Sequence, residues 1–442
     1  MDLPETWTHA KMPDVVEWSS GGTPKSDNQK YYNGDIPWLI IGDLTDAVVY
    51  SSATNITELG LKESSTKYVE EGSVLLGMYG SIGKLGIAGV KLTTNQAIAF
   101  TKTLNGIHNW YLFYYLQLIK SKLYSLSKGG TQKNISLTVI NFLAIPLPPL
   151  PEQRRIVAKI DSLFSELDNG VAFLKTIKTQ LAIYRQAVLK WAFEGKLTNS
   201  IMQKEKRLED MCFFITKGTT PKKNEMTSQK GDIPFIKVYN LTFNGILDFT
   251  IEPTYVSRTV HDNFLERSKV VAGDVLMNIV GPPLGKVSMI PDSMNEANIN
   301  QAIARFRCKE LLDNKYLAYY LLNKRTIEGL SKQAKTTAGQ INLTLEICRN
   351  LIIPYCPKPE QLAIVSAIES RLSVCDKLEQ TIDQTLALSA SLRQSILKKA
   401  FEGRLVSQDP NDEPAEKLLE RIKAEKAVVL AKQKQARKRG RR

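Results

Sequence analysis

The chain has 442 residues, 43% of them hydrophobic and 24% charged, with a formal net charge of +14; that length predicts two to four domains, each with enough chain for a core. No apolar run approaches the roughly 20 residues that span a bilayer, and the opening MDLPETWTHAKMPDVVEW is acidic and mixed rather than a charged-then-apolar leader, so a cytoplasmic location without membrane contact is expected. The five cysteines (Cys212, Cys308, Cys348, Cys356, Cys375) are odd in number and form no C-x-x-C pair; this argues against a disulfide framework or a zinc site and for reduced, buried thiols.

The elements come in two similar copies. In the first, GGTPKSDNQKYYNG is a polar, lysine-rich loop ahead of a strand at Trp38–Ile41. Its Lys25 and Lys30 are candidates for phosphate or base contact, although a solvated turn would have the same composition. A strand at Val74–Met78 leads into GMYGSIGKLGIAG. That stretch lacks the glycine and the hydroxyl residue a P-loop requires, holding Met78 and Leu85 there. Its glycines allow close backbone approach, and Tyr79, Ser81 and Lys84 supply stacking, hydroxyl and cationic groups suited to nucleic acid. A tight structural turn would explain the glycines equally well. A helix is expected at NWYLFYYLQLIKSKLYSL. GGTQKNIS follows, where Gln132, Lys133 and Asn134 could read base edges or cap the next element.

After IPLPPLPEQ, the residues Ile156, Ile160, Leu163, Leu167, Val171, Leu174, Ile177, Leu181, Tyr184, Val188 and Trp191 recur at steps of three or four. The spacing predicts one helix of roughly 40 residues with an apolar stripe. It should begin near Pro151-Glu152 and stop at Gly195 in FEGKL, with Asp168-Asn169-Gly170 as a place for a bend.

The second copy repeats this order. KGTTPKKNEMTSQKG offers Lys222 and Lys223 before a strand at Ile233–Val238. NIVGPPLGK follows Val275–Val280 and offers Asn278 and Lys286; Val280 and Val287 again break the P-loop pattern. NKYLAYYLLNKRTIEGL is the expected helix, and TAGQINLT carries Gln340 and Asn342. A second long stripe runs Ile364, Ile368, Leu372, Cys375, Ile382, Leu388, Leu392, Ile396, from PKPEQ to Gly403 in FEGRL. A helical segment, PAEKLLERIKAEK, precedes the tail KQKQARKRGRR.

The copies align throughout. TPK and GDIP[WF] recur at an offset of 197 residues, NQAIA at 205, and everything from Gln132 onward at 208. This is tandem duplication of a whole domain rather than a solenoid. The boundaries read 1–150 and 207–358 for two strand-rich globules, 151–206 and 359–408 for helical spacers, and 409–442 for a C-terminal helix and basic tail. The expected fold class is mixed α/β, with the two long helices paired as an antiparallel coiled coil in a pseudo-two-fold arrangement. Ile160, Leu167, Leu174, Leu181 and Phe193 on one helix, with Ile368, Ile382, Leu392 and Phe401 on the other, are the candidate coiled-coil and subunit-docking residues.

Two scattered features limit the chemistry. His9, His108 and His261 have no metal-ligand spacing, and no G-x-G-x-x-G, G-x-S-x-G or paired-carboxylate motif stands in a convincing context, so no catalytic residue and no metal site is expected. The charge is also uneven. Residues 1–150 hold 12 basic and 12 acidic side chains, whereas Lys432 to Arg442 hold seven basic and none acidic. Half the surplus that would suit a polyanion therefore sits at one end.

PLPEQRRIVAKID and RQAVLKWAFEGKLT, their second copies, and the TPK…GDIP[WF] opening of each globule together make the chain resemble the specificity (S) subunit of Type I restriction-modification systems, over essentially its whole length. The resemblance implies that each globule is a target-recognition domain reading one half of a bipartite, asymmetric site in double-stranded DNA, with the helices setting the unread spacer. It implies two methyltransferase subunits docked on the helical regions, with room for two restriction subunits. S-adenosylmethionine, ATP and Mg then belong to those partners, and this chain binds no cofactor. Because the first globule is neutral, partners are expected to supply much of the phosphate grip. A stand-alone DNA-binding regulator and a coiled-coil scaffold that touches no nucleic acid fit the same pattern of globules and helices.

Overall fold

The computed structural model describes residues 3–128, 133–198, 204–337 and 340–439. The chain divides into two compact units, Met1–Ala172 with Thr385–Arg442, and Phe173–Gln384. Both boundaries fall inside the long helices, so each unit holds one globule and half of each helix.

In the first unit the strands Val16–Ser20, Ile98–Leu104, Val74–Gly77, Leu85–Ala88 and Ala47–Val49 form one sheet in that order, antiparallel except for the last pair. Val74–Gly77 is buried along its whole length because both faces are covered: Val74 and Leu76 enter a core with helix α1 (Asn109–Leu118), while Leu75 joins Leu39, Leu92 and Phe100 on the other side. A strand covered on both faces reads as an unbroken apolar run rather than an alternating one. A second sheet, Asn55–Ile56, Tyr32–Leu39, Leu92–Thr94, Tyr68–Val69, has a parallel central pair. A ribbon of Thr8–Lys11 with Ala144–Leu147 leads into helix α2 (Leu150–Phe193).

The second unit repeats the plan. Cys212–Lys217, Ile303–Cys308, Val275–Asn278 and Val287–Met289 stand in the same order as their equivalents, with Val275 and Met277 packed toward helix α3 (Asn314–Leu322) and Leu276 on the opposite face. The ribbon Lys204–Arg207 with Ile352–Tyr355 precedes helix α4 (Lys358–Phe401).

The junction motif acts as a clamp. Gln153 is fully buried; its side-chain nitrogen donates to the carbonyls of Gly106 (3.1 Å) and Pro148 (3.0 Å), and its oxygen accepts from the His108 amide (2.8 Å). Gln361 does the same with Leu311 (2.9 Å), Cys356 (2.8 Å) and Asp313 (2.8 Å). Both long helices stop where glycine was expected to stop them. Gly195 (φ +74°) and Gly403 (φ +71°) adopt the left-handed conformation, and the amides of Lys196 and Arg404 reach back to Trp191 and Lys399, both at 2.9 Å. This is a Schellman ending. The helix runs unbroken through Asp168-Asn169-Gly170.

The helices run antiparallel within each unit. In the second, Lys178 meets Asp383 (2.7 Å) and, seven residues further along α2, Arg185 meets Asp376 (2.6 Å), seven residues further back on α4. In the first, Arg393 meets Asp168 and lies over the Phe164 ring. Arg185–Asp376 and Arg393–Asp168 are the same pair 208 residues apart, so Asp168, expected only as part of a weak point, is a seam residue.

Several expected seam residues stand elsewhere. The buried face of α4 runs through Cys375, Ile382 and Ile396, whereas Leu388 and Leu392 are 65% and 49% exposed. A seam needs alternating steps of three and four, and Cys375, Glu379, Ile382, Leu386, Ser389, Arg393, Ile396 satisfies it with polar members that hydrophobicity alone passes over. On α2, Ile160 is fully buried and Leu167, Leu174 and Leu181 partly so, while Tyr184 and Trp191 face solvent at 40% and 41%. Ile368 belongs to the core of the second globule. Phe193 and Phe401 lie off the seam, buried against the globules: Phe193 packs on Tyr316 and Tyr320 (both 5.1 Å between ring centres) and Phe401 on Tyr111 (4.8 Å) and Tyr115 (5.3 Å).

Helix α5 (Ala415–Arg439) returns to the start of the first globule. The Ala415 amide donates to Thr6 (3.0 Å), and Leu419 and Ile422 are buried. Among the described residues no helix is long and apolar enough to cross a membrane, and no group of three or more His, Cys, Asp or Glu is placed to hold a metal ion. All five cysteines are free thiols, four buried and Cys308 half-buried.

Candidate nucleic-acid interface

The segments singled out along the chain come together at one end of the central sheet in each globule. In the first, Ser20 pairs with Ala99, and Gly77 with Ile98, so the lysine-rich loop after Ser20 and the glycine loop after Gly77 leave side by side. Between them lies the NQAIA turn: the Gly22 amide donates to Thr94 (3.0 Å), the Met78 amide to Ala97 (2.8 Å), and Thr23 to the Gln96 side chain. Gly21 is obligatory, because a Cβ there would lie 1.9 Å from the Thr94 carbonyl oxygen.

The third segment is fastened to the glycine loop by backbone pairing. Tyr79 bridges Asn134, the Gly80 amide donates to Lys133 (3.1 Å) and the Ile135 amide to Met78 (2.9 Å). Tyr79 and Ser81 are exposed and Lys84 half-buried. The Lys133 ammonium lies 4.2 Å from the centre of the exposed Tyr124 ring, so a cation and an aromatic face stand together beside the glycine loop. Tyr124 was missed because KLYS reads only as the end of a helix. Lys25 and Lys30 are exposed. Their loop is held by the Tyr32 hydroxyl, which donates to the Pro24 carbonyl (2.8 Å); burial first, then the Asp27 carboxylate, raises the pKa of that phenol.

The second globule builds the same frame with other side chains. A Cβ on Gly218 would lie 2.0 Å from the Ile299 oxygen, the Ile279 amide donates to Ala302 (2.9 Å) and the Leu343 amide to Ile279 (2.8 Å). Here the pairing extends to a three-stranded ribbon, Val280–Gly281, Gln340–Asn342, Lys335–Thr337. Lys222 and Lys223 are exposed. Asn278, a candidate reader, is instead fully buried: it donates to Val280 (3.1 Å) and Pro283 (2.8 Å) and accepts from the Lys286 amide (2.9 Å). Its amide is fully used in holding the loop. Lys286 is half-buried, with its ammonium 3.5 Å from the Val238 carbonyl and 5.9 Å from the Phe243 ring. Phe243 and Ile246, 56% and 63% exposed, lie where the repeat offset drifts upward, which was the only signal for them. Gln340 lies in the paired strand, and Gln132 lies outside the described residues.

Each globule thus offers a rigid backbone frame carrying exposed lysines, hydroxyls and aromatic rings. Cations of this kind hold phosphates, and the other groups suit base edges. The frame is common to both; the side chains on it differ, Tyr79-Gly80-Ser81 against Val280-Gly281-Pro282.

Comparison with known proteins points the same way. The Type I restriction modification DNA specificity domain matches residues 4–181 and again 202–388. The specificity subunit of the Type I restriction enzyme EcoBI of Escherichia coli is 26% identical, over 97% of this chain and 94% of that one. The EcoKI specificity subunit of Escherichia coli strain K12 is 25% identical, over 96% and 97%. Among solved structures, a chain from work on complex assembly and conformational transition of the type I R-M system superposes with a TM-score of 0.70 at 19% identity, covering 91% of this chain and all of that one. The HsdS subunit of Thermoanaerobacter tengcongensis gives 0.58 at 19% identity, over 91% and 98%.

Proposed function

Since the chain belongs to the Type I restriction modification DNA specificity family, we propose that it is the DNA-reading subunit of a Type I restriction-modification complex, with the two globules reading the two unlike halves of a bipartite site. The observation that carries this is the double match: one recognition domain per repeat, each with the same frame and different exposed side chains. A reader with two identical globules would take a palindrome; this one takes an asymmetric sequence.

On this reading the chain performs no chemistry itself. Two methyltransferase subunits dock on the helical regions, two restriction subunits can join them, and S-adenosylmethionine, ATP and Mg are bound by those partners. The helices then serve as the ruler between the half-sites. The neutral first globule relies on partners for part of its hold on phosphate.

The test replaces residues 1–150 with the same region of a relative and maps methylated adenines genome-wide in cells carrying the cognate methyltransferase. One half of the methylated motif should change and the other stay. Methylation that is unaltered, or altered in both halves, contradicts the assignment.

A further inference from the structure

Helix α5 is one feature that DNA reading by the loops leaves unused. Its first three turns are anchored to the first globule on a single face. Asp412, just before it, pairs with Arg155 (2.7 Å). Ala415, Leu419 and Ile422 are buried at steps of four and three, and Ile422 sits so close to Gly106 that a Cβ there would lie 2.4 Å from it. The last anchor is Lys426, whose ammonium donates to the carbonyls of Pro13 (2.7 Å) and Asp14 (2.6 Å). Those carbonyls belong to the short turn that enters the strand Val16–Ser20, whose opposite end, at Ser20, leads into the lysine-rich loop of the candidate interface.

The composition of α5 changes where the anchor ends. From Ala415 to Lys426 three acidic and four basic residues are interspersed; after Glu425 there is no acidic residue to the end of the chain, and eight basic ones. The helical backbone continues to Arg439, so Lys432, Lys434, Arg437, Lys438 and Arg439 are carried up to about 20 Å beyond the anchor at 1.5 Å per residue. The globule that receives this helix is the neutral one, with 12 basic and 12 acidic residues in 1–150, against 20 and 15 in 207–358.

We propose that the C-terminal half of α5 is a phosphate-binding arm of the first globule, gripping the DNA backbone on the flank of the half-site that this globule reads. It supplies the cations the globule lacks and adds affinity without sequence preference. This rests on the DNA-reading function above. An acidic protein surface is the competing occupant, and the experiment separates the two.

The experiment uses the complex of the full chain with its methyltransferase subunits. Lys432, Lys434, Arg437, Lys438 and Arg439 are all changed to Gln, and in a second variant the chain ends at Val428; both leave the anchor intact. Specific binding is measured from low to moderate salt. Each phosphate contact contributes about 0.9 to the slope of log K against log salt, so the slope should become shallower by about 2 to 4 while the methylated sequence stays the same. Hydroxyl-radical footprints should lose protection only beyond the first globule's half-site, identified by exchange of residues 1–150. An unchanged slope, lost protection on the other flank, or release of methyltransferase subunits from the variants would overturn the arm. Failure of the unaltered complex to select a bipartite site would instead remove the DNA-reading function itself.

Discussion

Gln153 and Gln361 show how a short motif can be read correctly as a marker and still hide its physical task. Each is fully buried and uses two donors and one acceptor to tie the start of a long helix to the loop that opens α1 or α3. Truncation strands three backbone groups away from water, each worth about 1–3 kcal/mol. Gln153→Ala or Gln361→Ala should therefore lower stability by about 3 kcal/mol in urea denaturation, and Gln153→Glu by at least as much, since a carboxylate cannot donate to Gly106 and Pro148. A loss below about 1 kcal/mol would show the clamp to be redundant. At this scale the candidate interface was legible in part. Exposed Lys25, Lys222 and Tyr79 could be selected by residue type and loop context, because turn composition reports exposure. Asn278 could not, since a buried amide that holds a loop and an exposed one that reads a base are the same letter in the same turn.

The long helices were legible as elements, in length and in both ends, because a periodic stripe, an N-terminal Pro-Glu pair and a terminal glycine act locally. Their seam was less so. Hydrophobic spacing selects Leu392, yet the seam passes through Glu379, Ser389 and Arg393, whose roles depend on a partner helix that local pattern cannot identify. The two faces should differ in energy. Ile382 is 5% exposed, and Ile382→Ala should cost about 2–4 kcal/mol; Leu388→Ala and Leu392→Ala, at exposed positions, should each cost less than about 0.5 kcal/mol. Thermal melts of the three variants decide this. Equal losses at Ile382 and Leu392 would place the seam where the hydrophobic pattern first put it.

At the level of the whole chain, each globule is completed by the helix that belongs to the other repeat. Phe401, from the second copy, lies between Tyr111 and Tyr115 in the first unit, and Phe193, from the first copy, packs on Tyr316 and Tyr320 in the second. A constant offset of 208 residues says which positions are equivalent; it does not say which are neighbours, so this exchange was invisible in the alignment of the two halves. It makes a directional prediction. Replacing a buried Phe with Ala costs about 3–5 kcal/mol, and the loss falls on the unit that receives the ring. In Phe401→Ala, amide exchange in Asn109–Leu118 should speed up on the order of 100-fold, since each 1.4 kcal/mol is tenfold, with Asn314–Leu322 little changed; Phe193→Ala should do the reverse. Hydrogen-exchange mass spectrometry resolves the two segments. If either variant loosens both helices equally, the two units open as one, and the division of the chain into separately stable halves must be given up.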